Sequence, residues 1–290
     1  RLVHCTLSTS TFWLKVAPAI SNLSTKTISD LTRNMKAVLA LLIVAPATAL
    51  NLRNGACSCM SWKSVYADHN VKCGQGYELG QAGSAAYERV SAAFLPNTVP
   101  TGDGFYDEFC TRMYMQISVP SCFNKRFGTP AEQWCYVSSE CRGSSKVEGT
   151  DVAIHMCTAG DPLMTSTAPE ELNRLAGIDH LEIGLFGKLS YNMDPQKWSE
   201  VEAASSLSAA TLNMTHTMES YYGLKWTGPH QLTEKATKTF EKTKSDGIPV
   251  IFDADNGHGG GTLVVGSKIY AFLPLQGTDG LGYVCVEGCS

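Results

Sequence analysis

The stretch with the most reactive composition is Asp253-Ala254-Asp255-Asn256-Gly257-His258-Gly259-Gly260-Gly261. Two carboxylates, one imidazole and four glycines stand between apolar runs at 248–252 and 262–265. An imidazole near an acid can move a proton at neutral pH. His258, Asp253 and Asp255 are therefore the candidate catalytic residues if the chain is an enzyme. A calcium loop is a second chemistry for the same residues. Asp253 and Asp255 have the spacing of its first two ligands, but the required glycine position and the terminal Glu are absent. The plain alternative is a glycine-rich hairpin loop in which Asp and Asn make turns.

His258-Gly259-Gly260-Gly261 also matches the oxyanion-hole motif of lipases and esterases, but the G-x-S-x-G elbow that those folds need does not occur. The run IPVIFDADNGHGGGTLVVGSKIYAF (248–272) resembles the His-bearing hairpin of NlpC/P60-type and related papain-like enzymes. The resemblance implies a thiolate at a helix start, activated by that His. No Cys lies between 157 and 285, so it implies a degenerate site.

Other polar residues carry weaker signals. His155 neighbours Cys157 and reads as structural. Asp179-His180 reads as a turn or cap before the apolar run Leu181–Phe186, although Asp179 could meet His258 in space. Asn213-Met214-Thr215 is an N-glycosylation sequon. Tyr221, Tyr222 and Trp226, beside Pro229 and His230, could form a sugar platform, with core packing as the alternative.

The chain that must position these residues has 290 residues, of which 43% are hydrophobic and 17% charged, with a net charge of -4. That length supports one large or two small domains. The acidic balance gives no sign of a basic nucleic-acid-binding surface, and none is expected. Met35–Ala49 reads MKAVLALLIVAPATA: a basic n-region (Lys36), a short apolar h-region and an A-x-A cleavage site, which together make a secretory signal peptide. Residues 1–34 then read as sequence upstream of the true start, or as an unstructured segment. The mature chain from Leu50 is acidic and holds no apolar run long enough to span a membrane. The expected location is outside the cell or in the endomembrane lumen.

Cleavage there removes Cys5 and leaves ten cysteines: Cys57, Cys59, Cys73, Cys110, Cys122, Cys135, Cys141, Cys157, Cys285 and Cys289. An even set in an exported chain reads as a disulfide framework, with connectivity open. Cys285 and Cys289 either pair with each other or tie the C-terminus to the first half. Thiolates of Cys57, Cys59 and Cys73 as metal ligands are the competing reading; no cofactor is expected.

The elements follow from period and punctuation. In 50–160, Ser84 caps a helix over 85–94. A second helix carries Phe105, Phe109, Met113 and Ile117, with Cys110 on its buried side. Gln133–Val137 joins the cysteines around it in a compact knot, with Trp134 and Tyr136 packed on the bridges. In 161–290, Thr167–Glu170 is a capping box for a helix that Gly177 closes. Asp194-Pro195 opens a long helix through Trp198, Val201 and Leu207. Leu232, Ala236 and Phe240 mark another, with Glu234 and Lys238 as an i,i+4 pair and Gly247 at its end. Strands over 248–252, 262–265, 268–273 and 282–286 follow, with a Gly266-Ser267 hairpin. The fold class expected is α+β: a disulfide-rich, mostly helical N-terminal half, then helices plus a small antiparallel sheet.

The patterns CSCMSWKSVY (57–66), EFC (108–110) and QWCYVSSEC (133–141) resemble the small cysteine-rich modules of secreted dinoflagellate proteins. That resemblance implies export and disulfides and carries over no activity. The functional expectation is a secreted, disulfide-stabilised protein with a binding or structural role, its partner a glycan or an extracellular protein. The alternative is a secreted hydrolase that uses the 253–261 loop.

Overall fold

The computed structural model describes residues 55–84, 88, 103–209, 211–213, 233–252, 258–277 and 280–289. The signal segment, Cys5, the helix expected at 85–94, the aromatic group at 221–230, and Asp253 and Asp255 lie outside the described residues. The class is α+β. Residues 53–290 form one compact unit.

The first half starts with α1 (Trp62–Asp68) and a 3₁₀ turn, Glu78–Gly83. Next comes α2 (Asp103–Tyr106), which runs on in π-helical geometry over Asp107–Tyr114. The apolar period places Phe109, Cys110, Met113 and Tyr114 inside. This half also holds a four-stranded antiparallel sheet that local pattern did not reveal. Its strands are β1 (Phe123–Asn124), β2 (Gln133–Ser138), β3 (Ser145–Lys146) and β4 (Val152–Met156), in the order β1-β2-β4-β3. Trp134 and Tyr136 of β2 pack on Trp62, at centroid distances of 4.7 and 5.5 Å.

All ten cysteines from 57 onward are bridged: Cys57–Cys141, Cys59–Cys135, Cys73–Cys110, Cys122–Cys157 and Cys285–Cys289. Cys57, Cys59 and Cys73 thus enter three different bridges. The last bridge closes a loop within the C-terminal tail and does not tie it to the first half.

In the second half, α3 (Pro169–Asp179) runs through Gly177 and ends where His180 adopts left-handed geometry, φ 54°. The capping box does not form: Ala168 is the N-cap, and the Thr167 hydroxyl turns back to Met164 Sδ. The apolar run after His180 is a helix, α4 (Ile183–Ser190), with all eight residues buried. β5 (Asn192–Met193) follows. Of the long helix expected from Asp194, the described residues hold a short α5 (Trp198–Val201), a 3₁₀ turn ending at Ala204, and helical residues at 209 and 211–213; its expected continuation past 213 lies outside the described residues. α6 (Glu234–Asp246) has the expected ion pair and end: Glu234 and Lys238 pair at 2.6 Å, and Gly247 (φ 67°) closes it, while Thr233, which the sequence reading did not single out, caps its start.

The second sheet holds β6 (Val250–Phe252), β7 (Thr262–Val265), β8 (Lys268–Pro274) and β9 (Leu281–Glu287). These strands are antiparallel neighbours, and β5 joins β6 in parallel at the edge. Period-two alternation gives the sheet two apolar faces. Val250, Phe252, Val264 and Ile269 pack with Trp198 and Phe240 of α5 and α6. Ile251, Leu263, Tyr270 and Phe272 belong to the larger core, which also takes in α3, α4 and the first half.

That core crosses position 160. Phe123 of β1 lies 5.6 Å from Phe186 of α4. The last turn of α4 has carbonyls that no helical N–H can reach. Asn124 Nδ2 donates to Lys188 O and Tyr191 O, and Gln133 Nε2 donates to Ser190 O. Two buried amides of the first sheet therefore terminate the central helix of the second half.

Candidate functional site

The site forms at the start of α4. Glu182 is the N-cap, and its carboxylate accepts hydrogen bonds from Gly184 N (2.9 Å) and Leu185 N (2.8 Å). A carboxylate in this position meets both the unpaired N–H groups and the positive end of the helix dipole. Gly184 is required here for close approach, because a Cβ would overlap the carbonyl oxygen of His258. Gly187, one turn on, leaves room for the Tyr283 ring, whose hydroxyl donates to Gly260 O. Two glycines of α4 and one tyrosine of β9 thus seat the backbone of the His258–Gly260 segment against the helix start.

The seat fixes His258 between two acids. Its Nε2 is 3.3 Å from Glu108 Oε1, on the π-helical segment, and its Nδ1 is 3.6 Å from Glu182 Oε2. Glu182 raises the imidazole pKa above its ordinary value and the charge on Glu108 adds to this, while burial and the Lys188 cation oppose it. Glu108 is itself raised, chiefly by burial and secondarily by the like charge of Glu182. Lys188, fully buried on α4, acts on both groups. The Glu108 and Glu182 carboxylates, the His258 imidazole and the Lys188 side chain thus form one electrostatic cluster.

Beside this cluster lies a groove of about 960 Å³. Its wall is apolar, made by Ala176, Leu181, Ile183, Phe272, Leu275 and Leu281, and its rim carries Asn173, His180, Glu182 and His258. Of the described residues weighed as candidates in the sequence, His258 and His180 both line the groove. Asp179 does not meet His258; the Asp179 carboxylate accepts from Ser118 N and Oγ at 2.8 and 3.0 Å. His155 pairs with Asp161 at 3.1 Å, a structural contact. Asn213 is exposed. Glu108 and Glu182 were missed in the sequence. Glu182 left one signal, an acid two residues before a glycine in an apolar run; Glu108 left none.

Where a papain-like enzyme would need a thiolate at the helix start facing the imidazole, this chain has the Glu182 carboxylate. Every described cysteine is in a bridge. No protein family, curated protein or solved structure matches the chain. Among the described residues no helix is long and apolar enough to cross a membrane.

Proposed function

We propose that the protein is an exported, disulfide-stabilised binding protein whose ligand site is the groove beside His258. The observation that carries this reading is the setting of His258. Both ring nitrogens face carboxylates and the pKa is raised by them, so the two acids engage the ring and hold it in place at the groove. Such a residue is suited to anchoring a loop and donating a hydrogen bond at the groove rim. The largely apolar wall favours an extracellular protein segment that inserts an apolar side chain, with its main chain meeting the polar rim. Export is supported by the five bridges, which form in oxidising compartments, together with the signal-like segment 35–49.

The test is a peptide-display selection against the mature protein, run beside a glycan array and a hydrolase substrate panel. The expected result is enrichment of peptides with an apolar anchor. Glycan binding alone would replace the proposed partner class. Hydrolysis lost in His258→Ala would overturn the binding reading in favour of the hydrolase.

A further inference from the structure

Two of the five bridges lie side by side. Cys59–Cys135 and Cys122–Cys157 bring four Sγ atoms within 4.8 Å of one another. Cys59 Sγ is 3.5 Å from Cys122 Sγ, across the two bridges. Cys59, Cys122 and Cys135 are buried and Cys157 is partly buried. Among the described residues this is the one group of metal-ligating side chains so gathered.

The backbone holds each of these cysteines in place without help from sulfur. Next to Cys59, Met60 N donates to Tyr136 O at 2.8 Å. Cys122 N donates to Pro162 O, and Cys122 O accepts from Met164 N. Cys135 sits inside the β2–β4 ladder, opposite His155. Cys157 N donates to Gln133 O at 2.8 Å. Trp62, Trp134 and Tyr136 form an aromatic cluster in the same layer. With these contacts kept, the four sulfurs stay close after their bonds are broken.

We propose that Cys59, Cys122, Cys135 and Cys157 are one redox-dependent metal site: two disulfides when oxidised, and a tetrathiolate that binds one Zn²⁺ when reduced. Reduction breaks both S–S bonds and takes up four electrons and four protons. A phosphine supplies the electrons in vitro and leaves as its oxide; a cellular dithiol does the same and leaves as a disulfide. Zn²⁺ then forms four Zn–S bonds and releases the four thiol protons. Tetrahedral zinc with Zn–S near 2.3 Å sets its sulfurs about 3.8 Å apart. The cross-bridge contact of 3.5 Å and the outer limit of 4.8 Å bracket that spacing. Only the two bonded pairs must part, and their Cα atoms are already 5.6 and 6.4 Å apart. The metal form would hold the first sheet to the 57–62 segment before the bridges close.

The test is anaerobic titration of the phosphine-reduced full chain with Co²⁺, followed by Zn²⁺, with near-UV circular dichroism recorded alongside. The expected result is one Co²⁺ per chain with the absorption of a tetrahedral thiolate complex, displaced by Zn²⁺, and retention of the near-UV signal in the zinc form. Cys73→Ser/Cys110→Ser, which removes a bridge outside the four-sulfur group, should leave this binding intact; Cys122→Ser/Cys157→Ser should abolish it. Absence of a tetrahedral thiolate signal would overturn the proposal. So would equal retention of binding in both double variants, which would mark indiscriminate binding by the remaining thiols of an unfolded chain.

Discussion

His258 Nδ1 faces Glu182 Oε2 at 3.6 Å across the start of α4, while the same carboxylate caps that helix through Gly184 N and Leu185 N. One acid therefore serves two partners, a helix terminus and a loop imidazole. Glu108 closes the arrangement from the other side of the ring.

The pH dependence of this arrangement follows from the direction of the shift. The His258 pKa is raised in the folded chain. Its contribution to stability is therefore complete below the ordinary imidazole value and is lost as pH rises through the folded value. Amide exchange at Gly259–Gly261 should quicken across that window. Glu182→Gln keeps an oxygen for the cap but removes the charge, so an NMR titration should show the His258 pKa falling toward its ordinary value. An unchanged pKa in the variant would contradict the assignment.

Gly184→Ala should destabilise the chain by about 1–3 kcal/mol, because its Cβ overlaps the His258 carbonyl and either the loop or the helix must shift. Urea unfolding measures the loss. Gly143→Ala is a poor control, since Gly143 has positive φ (88°); Gly160→Ala, with open space at its Cβ, should stay within about 0.5 kcal/mol.

Glu78 is fully buried and accepts from Tyr66 Oη, Tyr136 Oη, Gly74 N and Gly76 N. Burial raises its pKa, and hydrogen bonds from Tyr136, its own backbone N–H, Tyr66 and Gly74 oppose the rise. Glu78→Ala strands the two tyrosine hydroxyls and the two glycine N–H groups, and a loss of about 3 kcal/mol or more is expected in chemical denaturation. A change under about 1 kcal/mol would show that water replaces the carboxylate.

The bridges should differ in weight. Cys57–Cys141 spans a sequence separation of 84 and Cys285–Cys289 one of 4. Loop-closure entropy grows with loop length, so removing the first pair as serines should cost about 2–5 kcal/mol and removing the second clearly less. Thermal unfolding of the two double variants ranks them.

The C-terminal elements were legible because their signals are local. In α6, Ala236 and Phe240 share one face, Glu234 and Lys238 pair along the helix, and Gly247 marks the end. The β7–β8 hairpin follows from Gly266-Ser267 between alternating apolar residues. α4 was not legible as a helix: every side chain from Ile183 to Ser190 is buried, so no polar face sets a 3.6-residue period. The first sheet was hidden for a different reason. β1 and β3 have two residues each; β1 is placed by the long-range packing of Phe123 on Trp62, and β3 is an exposed pairing with β4 that carries no apolar alternation. At the site, the unusual loop made His258 visible, but its partners were not. Glu108 and Glu182 lie on separate elements, and only the packing of the π-helical segment, α4 and the loop brings them to one imidazole.

The groove is the centre of the functional account, and Gly177 tests it most directly. This residue lines the groove on α3, and nothing lies within 4 Å of a Cβ built on it. Gly177→Trp should fill the groove without straining the helix, since any ordinary residue improves on glycine there. The measurement is the affinity of a display-selected peptide for the wild type and for Gly177→Trp, with thermal unfolding as the control on folding. The account predicts unchanged or higher stability and at least about a tenfold loss of affinity, a difference near 1.4 kcal/mol. Equal affinity in a folded Gly177→Trp protein would contradict it and place the binding surface elsewhere.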